Sequence, residues 1–266
     1  MRAQSVRWKI ARRHLNQHPR HRLLWLLALI AGLSLIIAGG SGAGAYYFMS
    51  HLPSVNHAHI RYSFQNARIF DSRGHLLYNM ADLSQNGGQR VVVPLQSRFA
   101  QSNACQSGVN RIPVLLQNAT IATEDATFYK NPGFDLASIF RAAYQNFSSG
   151  EIVSGASTIT QQVVRAMKLV SDKRTINRKA QEVALAYEIS KKYSKRKILW
   201  FYLNYVPYGN LAYGAQAAAE TYFGRRICSL DLAQSALLAG LPRAPSLYDP
   251  VSHRHLAFGR MHQVLH

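Results

Sequence analysis

The longest apolar run lies near the N-terminus: LLWLLALIAGLSLIIAGG begins at Leu23, and no charged residue occurs from Leu23 to Ser50. A helix crossing a bilayer needs about 20 apolar residues, so residues 23–50 predict a transmembrane anchor. Small residues in GGSGAGA from Gly39 also resemble a processing site. The apolar span exceeds the roughly 7 to 15 residues of a signal-peptide core, however, and an uncleaved anchor is the expectation. Beyond it, ARIFDSRGHLLYNM from Ala67 alternates as a small β-hairpin bent at Ser72, Arg73 and Gly74. Residues 96–111 are polar and aperiodic, which predicts a loop.

From Ile112 onward the spacing is helical. Pro113 fits the first turn of a helix running towards Phe128, and Asp135 caps a second that Gly150 would close. A third follows Ser157, with Ile159, Val163, Ala166 and Val170 on an apolar stripe and Ser157, Gln161, Arg165 and Lys168 on the opposite side. A fourth spans about Thr175 to Tyr193 with Ile176, Ala180, Val183 and Tyr187 inward. Ser194 caps KRKILWFYLNYV, and AQAAAETYF from Ala215 and LDLAQSALLAGL from Leu230 complete a mainly α domain.

Charge changes this picture first. Thirty-one Lys and Arg against twelve Asp and Glu give a formal net charge of +19, which suits nucleic acid, an anionic membrane or a phosphate-bearing substrate. Arg2, Arg7, Lys9, Arg12, Arg13, Arg20 and Arg22 precede the apolar run without an acid. A basic flank stays in the cytoplasm, which places the C-terminal bulk outside and excludes nucleic acid as the partner. Export would permit a disulfide between the two cysteines, Cys105 and Cys228, although sequence does not show whether they meet. Without CxxC or nearby His spacing they do not indicate a metal, and no structural metal is expected. The chain then divides into a basic tail at 1–22, an anchor at 23–50, a membrane-proximal segment at 51–111, a helical domain at 112–250 and a C-terminal helix or start of a linker at 251–266.

Four blocks carry candidate chemistry. ATEDATFYKNPGFD from Ala122 sets Glu124 and Asp125 at a helix end, where partial desolvation by Phe128 and Tyr129 would give a general base a raised pKa. On position alone, a solvated acidic terminus is the commoner case. SGASTITQQVVRAMK from Ser154 gathers hydroxyls and amides at Ser157, Thr158, Thr160, Gln161 and Gln162, suited to sugar hydroxyls or phosphate oxygens, and Arg165 adds charge. In KRTINRKAQE from Lys173, Arg174, Arg178 and Glu182 follow at i, i+4 with Lys179 beside them. This is either a surface ladder of ion pairs worth about 0.3 to 0.5 kcal/mol each or a cationic wall for a diphosphate. ILWFYLNYVPYGNLAYGAQAAAETYFG from Ile198 reads mostly as core, with Asn204 as the polar group that needs a reason.

In this order the blocks resemble the peptidoglycan glycosyltransferases of monofunctional enzymes and class A penicillin-binding proteins. The likeness spans roughly Arg68 to Pro250: Glu-Asp-x-x-Phe at Glu124, GxSTITQQ at Gly155, RKxxE at Arg178, IL-x-x-YLN at Ile198, YFG at Tyr222 and LLAGLPRAPSLYDP at Leu237. The resemblance implies a lysozyme-like α fold with a membrane-embedded jaw. It implies polymerisation of lipid II, an undecaprenyl-diphosphate-linked disaccharide-peptide, into β-1,4 glycan strands with inversion and release of undecaprenyl diphosphate. Glu124 would take the proton of the acceptor 4-hydroxyl while Glu182 assists at the donor diphosphate. Gln162, Arg165, Arg174, Arg178 and Lys179 would line that donor region, and Ser157 and Thr158 belong to the same block. The implied partners are lipid II, the growing glycan chain, the bacterial inner membrane and other cell-wall synthesis proteins. Magnesium could share the charge of the diphosphate, although the chain has no dedicated metal motif.

The sequence departs from the family pattern at Asn131, often His; at Trp200, often Glu; and at Arg165-Ala166, often Lys-Asn. No SxxK, SxN and KTG set appears, so a monofunctional or shortened bifunctional enzyme is expected. Two alternatives stand beside this reading: a hydrolytic or lytic enzyme using Glu124 on finished peptidoglycan, and a membrane scaffold whose basic surface binds anionic lipid.

Overall fold

The computed structural model describes residues 67–74, 76–80, 88–99, 105, 109–139, 141, 144, 157–171, 173 and 175–266, with single positions at 44, 50 and 52. The chain divides into compact units at Met1–Leu52 and Pro53–His266. The basic tail and nearly all of the expected anchor lie outside the described residues, as does the expected site residue Arg174. Among the described residues no helix is long and apolar enough to cross a membrane.

The hairpin forms where the alternation placed it. Strands β1 (Ala67–Phe70) and β2 (Leu76–Met80) pair antiparallel. The bend is closed by the Gly74 N–H donating to the Asp71 carbonyl at 3.0 Å and the Arg73 N–H donating to the Asp71 carboxylate at 2.9 Å. A second, two-residue-long pairing joins β3 (Gln89–Arg90) in parallel to β4 (Ala212–Tyr213).

Seven α-helices lie with both ends among the described residues: α1 (Val114–Glu124), α2 (Ile159–Ala166), α3 (Ile176–Lys192), α4 (Lys195–Tyr205), α5 (Ala215–Phe223), α6 (Leu232–Gly240) and α7 (Arg254–Leu265). Most begin on a side-chain cap, because the first backbone N–H groups of a helix lack internal acceptors. Thr158 and Asp231 form capping boxes with Gln161 and Gln234, and Thr175 and Ser194 accept from Arg178 and Lys197. Residues 136–139 are helical with Ser138 bonded to Asp135, as the Asp135 cap predicts. The remainder of that helix towards Gly150 lies mostly outside the described residues.

Helix α4 is the hub. Ile198, Leu199, Phe201, Tyr202 and Leu203 are almost wholly buried, and α2 packs on both α3 and α4. On the other side α6 lies between α1 and α7. Asn204 is fully buried and supplies the reason sequence left open. Its Oδ1 accepts from the Val93 N–H at 2.8 Å and its Nδ2 donates to the Val93 and Trp200 carbonyls, so the amide pins the incoming chain to α4. Trp200 Nε1 donates to the same Val93 carbonyl at 3.0 Å, which gives the departure at this position a local hydrogen-bonding role.

Several boundaries and faces differ from expectation. Helix α1 stops at Glu124 rather than near Phe128, because Asp125 leaves helical geometry at φ −161° and ψ 79°. Helix α2 stops at Ala166: Lys168 turns left-handed (φ 52°), and Leu169 and Lys168 donate back to the Val164 and Arg165 carbonyls, leaving Val170 outside the stripe. Gln161 is not on a polar face but fully buried as a capping residue. In α3 Ala180 and Tyr187 point outward, and the buried stripe is Glu182, Leu185, Ala186 and Ile189. A pattern read from hydrophobicity turns Glu182 to solvent, whereas here its charge is balanced inside the protein. The two cysteines do meet: Cys105 and Cys228 form a disulfide that ties the polar loop to the short helical turn Ile227–Ser229.

Candidate active site

Glu124 is the last residue of α1 and is half-buried. Its placement depends on the next residue. Asp125 is buried and accepts from Asn131 Nδ2 at 2.9 and 3.0 Å, from the Thr127 hydroxyl at 3.1 Å and from the Ile159 N–H at 3.2 Å. It therefore fastens the end of α1 to the start of α2. Asn131 completes this clamp, accepting from the Gly133 N–H at 3.0 Å and from Lys195 Nζ. The amide thus does at this departure what a carboxylate partner requires. Gly133 has φ +108°, and a Cβ there would lie 2.4 Å from the Ala186 carbonyl oxygen, so only glycine lets the turn press against α3. Thr158 is also structural: its hydroxyl donates to the Gly133 carbonyl at 2.6 Å while capping α2.

With its neighbour so occupied, the Glu124 carboxylate receives one hydrogen bond among the described residues, from Gln162 Nε2 at 2.5 Å. The Tyr202 hydroxyl donates to Gln162 Oε1 at 3.4 Å and orients that amide. Burial raises the Glu124 pKa above the ordinary carboxylate value, opposed by the Gln162 hydrogen bond and by the charges of Arg260, Arg243 and Arg165. The expected elevation is present. Its named neighbours are Gln162 and the arginines, with Tyr202 and Tyr208 on the buried side, whose own pKa values Glu124 helps raise.

Three residues along α2, one turn from Gln162, Arg165 reaches a different carboxylate. Glu182 is wholly buried and accepts from Arg165 Nη1 at 2.8 Å, Lys179 Nζ at 2.8 Å and Arg178 Nη1 at 2.9 Å. Ser157 extends the cluster, its hydroxyl accepting from Lys179 Nζ at 2.9 Å and Arg165 Nη1 at 3.4 Å. Both Glu182 oxygens are engaged and none of its side chain is exposed, so in this structure the carboxylate holds Arg165, Arg178 and Lys179 together. The surface-ladder reading fails, since the shared partner is buried.

A cavity of about 270 Å³ is lined by Glu124, Asp125, Thr127, Asp135, Arg141 and Ser157, among others. Another, of about 250 Å³, is lined by Gln162, Arg165, Lys168, Tyr205, Tyr213 and Pro242, among others. The Glu124 to Gln162 hydrogen bond joins residues of both. Of the expected site residues, the structure thus gathers Glu124, Gln162, Ser157, Arg165, Arg178, Lys179 and Glu182. Asp125 and Thr158 line the Glu124 cavity while also building its frame, and Gln161 and Asn204 are buried in the frame alone. Sequence reasoning missed Tyr202, Tyr208, Arg243 and Arg260. The available signals were a charge inside the otherwise apolar LLAGLPRAP run and a tyrosine beside Asn204.

Comparison with known proteins identifies the family. The family described as Transglycosylase matches residues 93–266. Penicillin-binding protein 1A of Aquifex aeolicus (strain VF5) is 38% identical over 201 residues, covering 76% of this chain and 25% of that protein. Penicillin-binding protein 1A of Neisseria gonorrhoeae is 46% identical over 157 residues, covering 59% and 20%. A crystal structure of penicillin-binding protein 1A from Haemophilus influenzae aligns with 76% of this chain and 17% of its own at 22% identity and a TM-score of 0.36. The chain spans about a quarter or less of these proteins' lengths. On the match to more than half of its residues, the chain belongs to the transglycosylase family, the peptidoglycan glycosyltransferases that its sequence blocks resemble.

Proposed function

We propose that this chain polymerises lipid II into β-1,4 glycan strands, adding each lipid-linked disaccharide with inversion at the anomeric carbon. The observation that supports this best is a lightly bonded, desolvated Glu124 whose partner Gln162 stands one helical turn from Arg165, one of three cations fixed on Glu182. Glu124 removes the proton of the acceptor 4-hydroxyl, whose oxygen attacks the donor anomeric carbon from the face opposite the diphosphate. The bond from that carbon to the diphosphate oxygen breaks, and its electron pair leaves with undecaprenyl diphosphate. A diphosphate needs positive charge more than a proton, and Arg165, Arg178 and Lys179 supply it without reorganising. In this reading an N-terminal anchor at 23–50 holds the domain on the outer face of the bacterial inner membrane, where lipid II and the growing glycan chain are presented.

The donor set around Glu182 does not suit magnesium. Both carboxylate oxygens already accept from cations, which leaves them poor ligands for a further cation. Magnesium therefore enters only as an ion carried by the substrate diphosphate, and EDTA is expected to slow turnover without changing the melting temperature.

The test of the reaction class is incubation with purified lipid II. Release of undecaprenyl diphosphate with long glycan products is expected. Shortening of isolated sacculi without that release would favour a hydrolytic enzyme, which needs a general acid and has no use for the cation cluster.

A further inference from the structure

Helix α2 ends on a residue whose backbone would suit glycine. The Lys168 N–H donates to the Arg165 carbonyl at 2.9 Å and the Leu169 N–H to the Val164 carbonyl at 3.2 Å, the paired bonds of a left-handed helix stop. Such a stop needs positive φ at its central residue, and Lys168 has φ 52°. Glycine takes up that conformation without a Cβ penalty, whereas lysine does not. A side chain kept at a strained position points to a use for it.

The surroundings define that use. Lys168 lines the cavity of about 250 Å³ together with Gln162, which bonds Glu124, and Arg165, which bonds Glu182. No carboxylate lines this cavity, and the rest of its wall is aromatic or aliphatic, including Tyr205, Tyr213, Pro207 and Pro242. Lys168 is exposed, and its ammonium makes no hydrogen bond or ion pair among the described residues. Arg165, Arg178 and Lys179, by contrast, share the charge of Glu182. An anion entering beside Arg165 would therefore meet in Lys168 a cation that no carboxylate has neutralised. A cation here can also oppose the negative end of the helix dipole. That second role involves no ligand, so experiment separates the two.

We propose that Lys168 is a substrate-binding residue, a fourth cation that holds the diphosphate of the lipid-linked donor in the cavity it shares with Gln162 and Arg165. This role rests on the reading of the chain as a lipid II polymerase and adds a residue to it. The three cations on Glu182 are fixed before substrate arrives, whereas Lys168 gains its ionic partner from the substrate.

The experiment is steady-state polymerisation of lipid II by the full chain in neutral detergent micelles, which present no anionic lipid headgroup. Undecaprenyl diphosphate serves as competing inhibitor, because it carries the diphosphate without sugar or peptide. Lys168→Gly removes the charge and suits the backbone, so it should melt no lower than the parent. It should raise both the KM for lipid II and the inhibition constant of undecaprenyl diphosphate about three- to tenfold, with kcat within about twofold. Lys168→Asn, also tolerant of positive φ, should behave alike, and Lys168→Arg should keep both constants near those of the parent. Lys191→Gln, which removes an equal charge from the exposed C-terminal end of α3, should change neither. Added salt should narrow the gap between the parent and Lys168→Gly. Unmoved constants in Lys168→Gly overturn the proposal, and a lowered melting temperature alone would mark the dipole role. A raised KM with an unmoved inhibition constant overturns it too, since Lys168 would then read a carboxylate of the substrate peptide. If the parent polymerises lipid II and Lys168→Gly matches it, only this inference fails. If the parent releases no undecaprenyl diphosphate from lipid II, the function reading fails with it.

Discussion

The end of α1 and the inner face of α3 each hold a glutamate, and the two are treated in opposite ways. Glu182 has no exposed surface and three cations within 2.9 Å. Glu124 is half-buried, its carboxylate receives one hydrogen bond among the described residues, and desolvation raises its pKa. A fully buried carboxylate that already holds three cations organises charge. A desolvated one with a free oxygen is a stronger base. What surrounds the side chain sets what it can do: one glutamate holds cations in place, and in the proposed reaction the other takes the proton.

Removing the scaffold carboxylate should have the largest effect on the fold. Glu182→Gln leaves Arg165, Arg178 and Lys179 without their shared counter-charge, and a loss of about 3–5 kcal/mol is expected in chemical denaturation. A variant as stable as the parent would break the contrast. A smaller effect is expected from Gln162→Ala. The Gln162 hydrogen bond favours the carboxylate form of Glu124, so its loss should push the acid limb of the rate profile upward and slow turnover on that limb about three- to tenfold. An unchanged limb would mean that the amide does not govern the base. The smallest effect concerns stability at Glu124. Its folded pKa lies above the unfolded value, so its stabilising contribution is full below the unfolded pKa and is lost as pH rises through the folded one. Glu124→Gln should therefore melt higher than the parent at neutral pH and equal to it in acid.

Much of this architecture was legible because local chemistry and long-range packing agree. Ser194 caps α4, the Asp71 to Gly74 turn closes the hairpin, and the apolar run from Leu232 is a buried helix. The misses occur where a polar group is solved by a distant partner. Glu182 is buried because Arg165, from another helix, reaches it. Asn204 is buried because Val93, 111 residues away, presents a backbone edge to it. Gln161 resembles a ligand-binding amide in sequence but serves as a helix cap. Periodicity carries no record of such pairings.

The most direct test of Glu124 as the base is a single-turnover comparison of Glu124→Gln with the parent on bound lipid II, at the plateau of the pH profile. The account predicts a rate lower by about 10²- to 10⁴-fold with substrate affinity retained. A Glu124→Gln protein that couples disaccharides at the parent rate would contradict it.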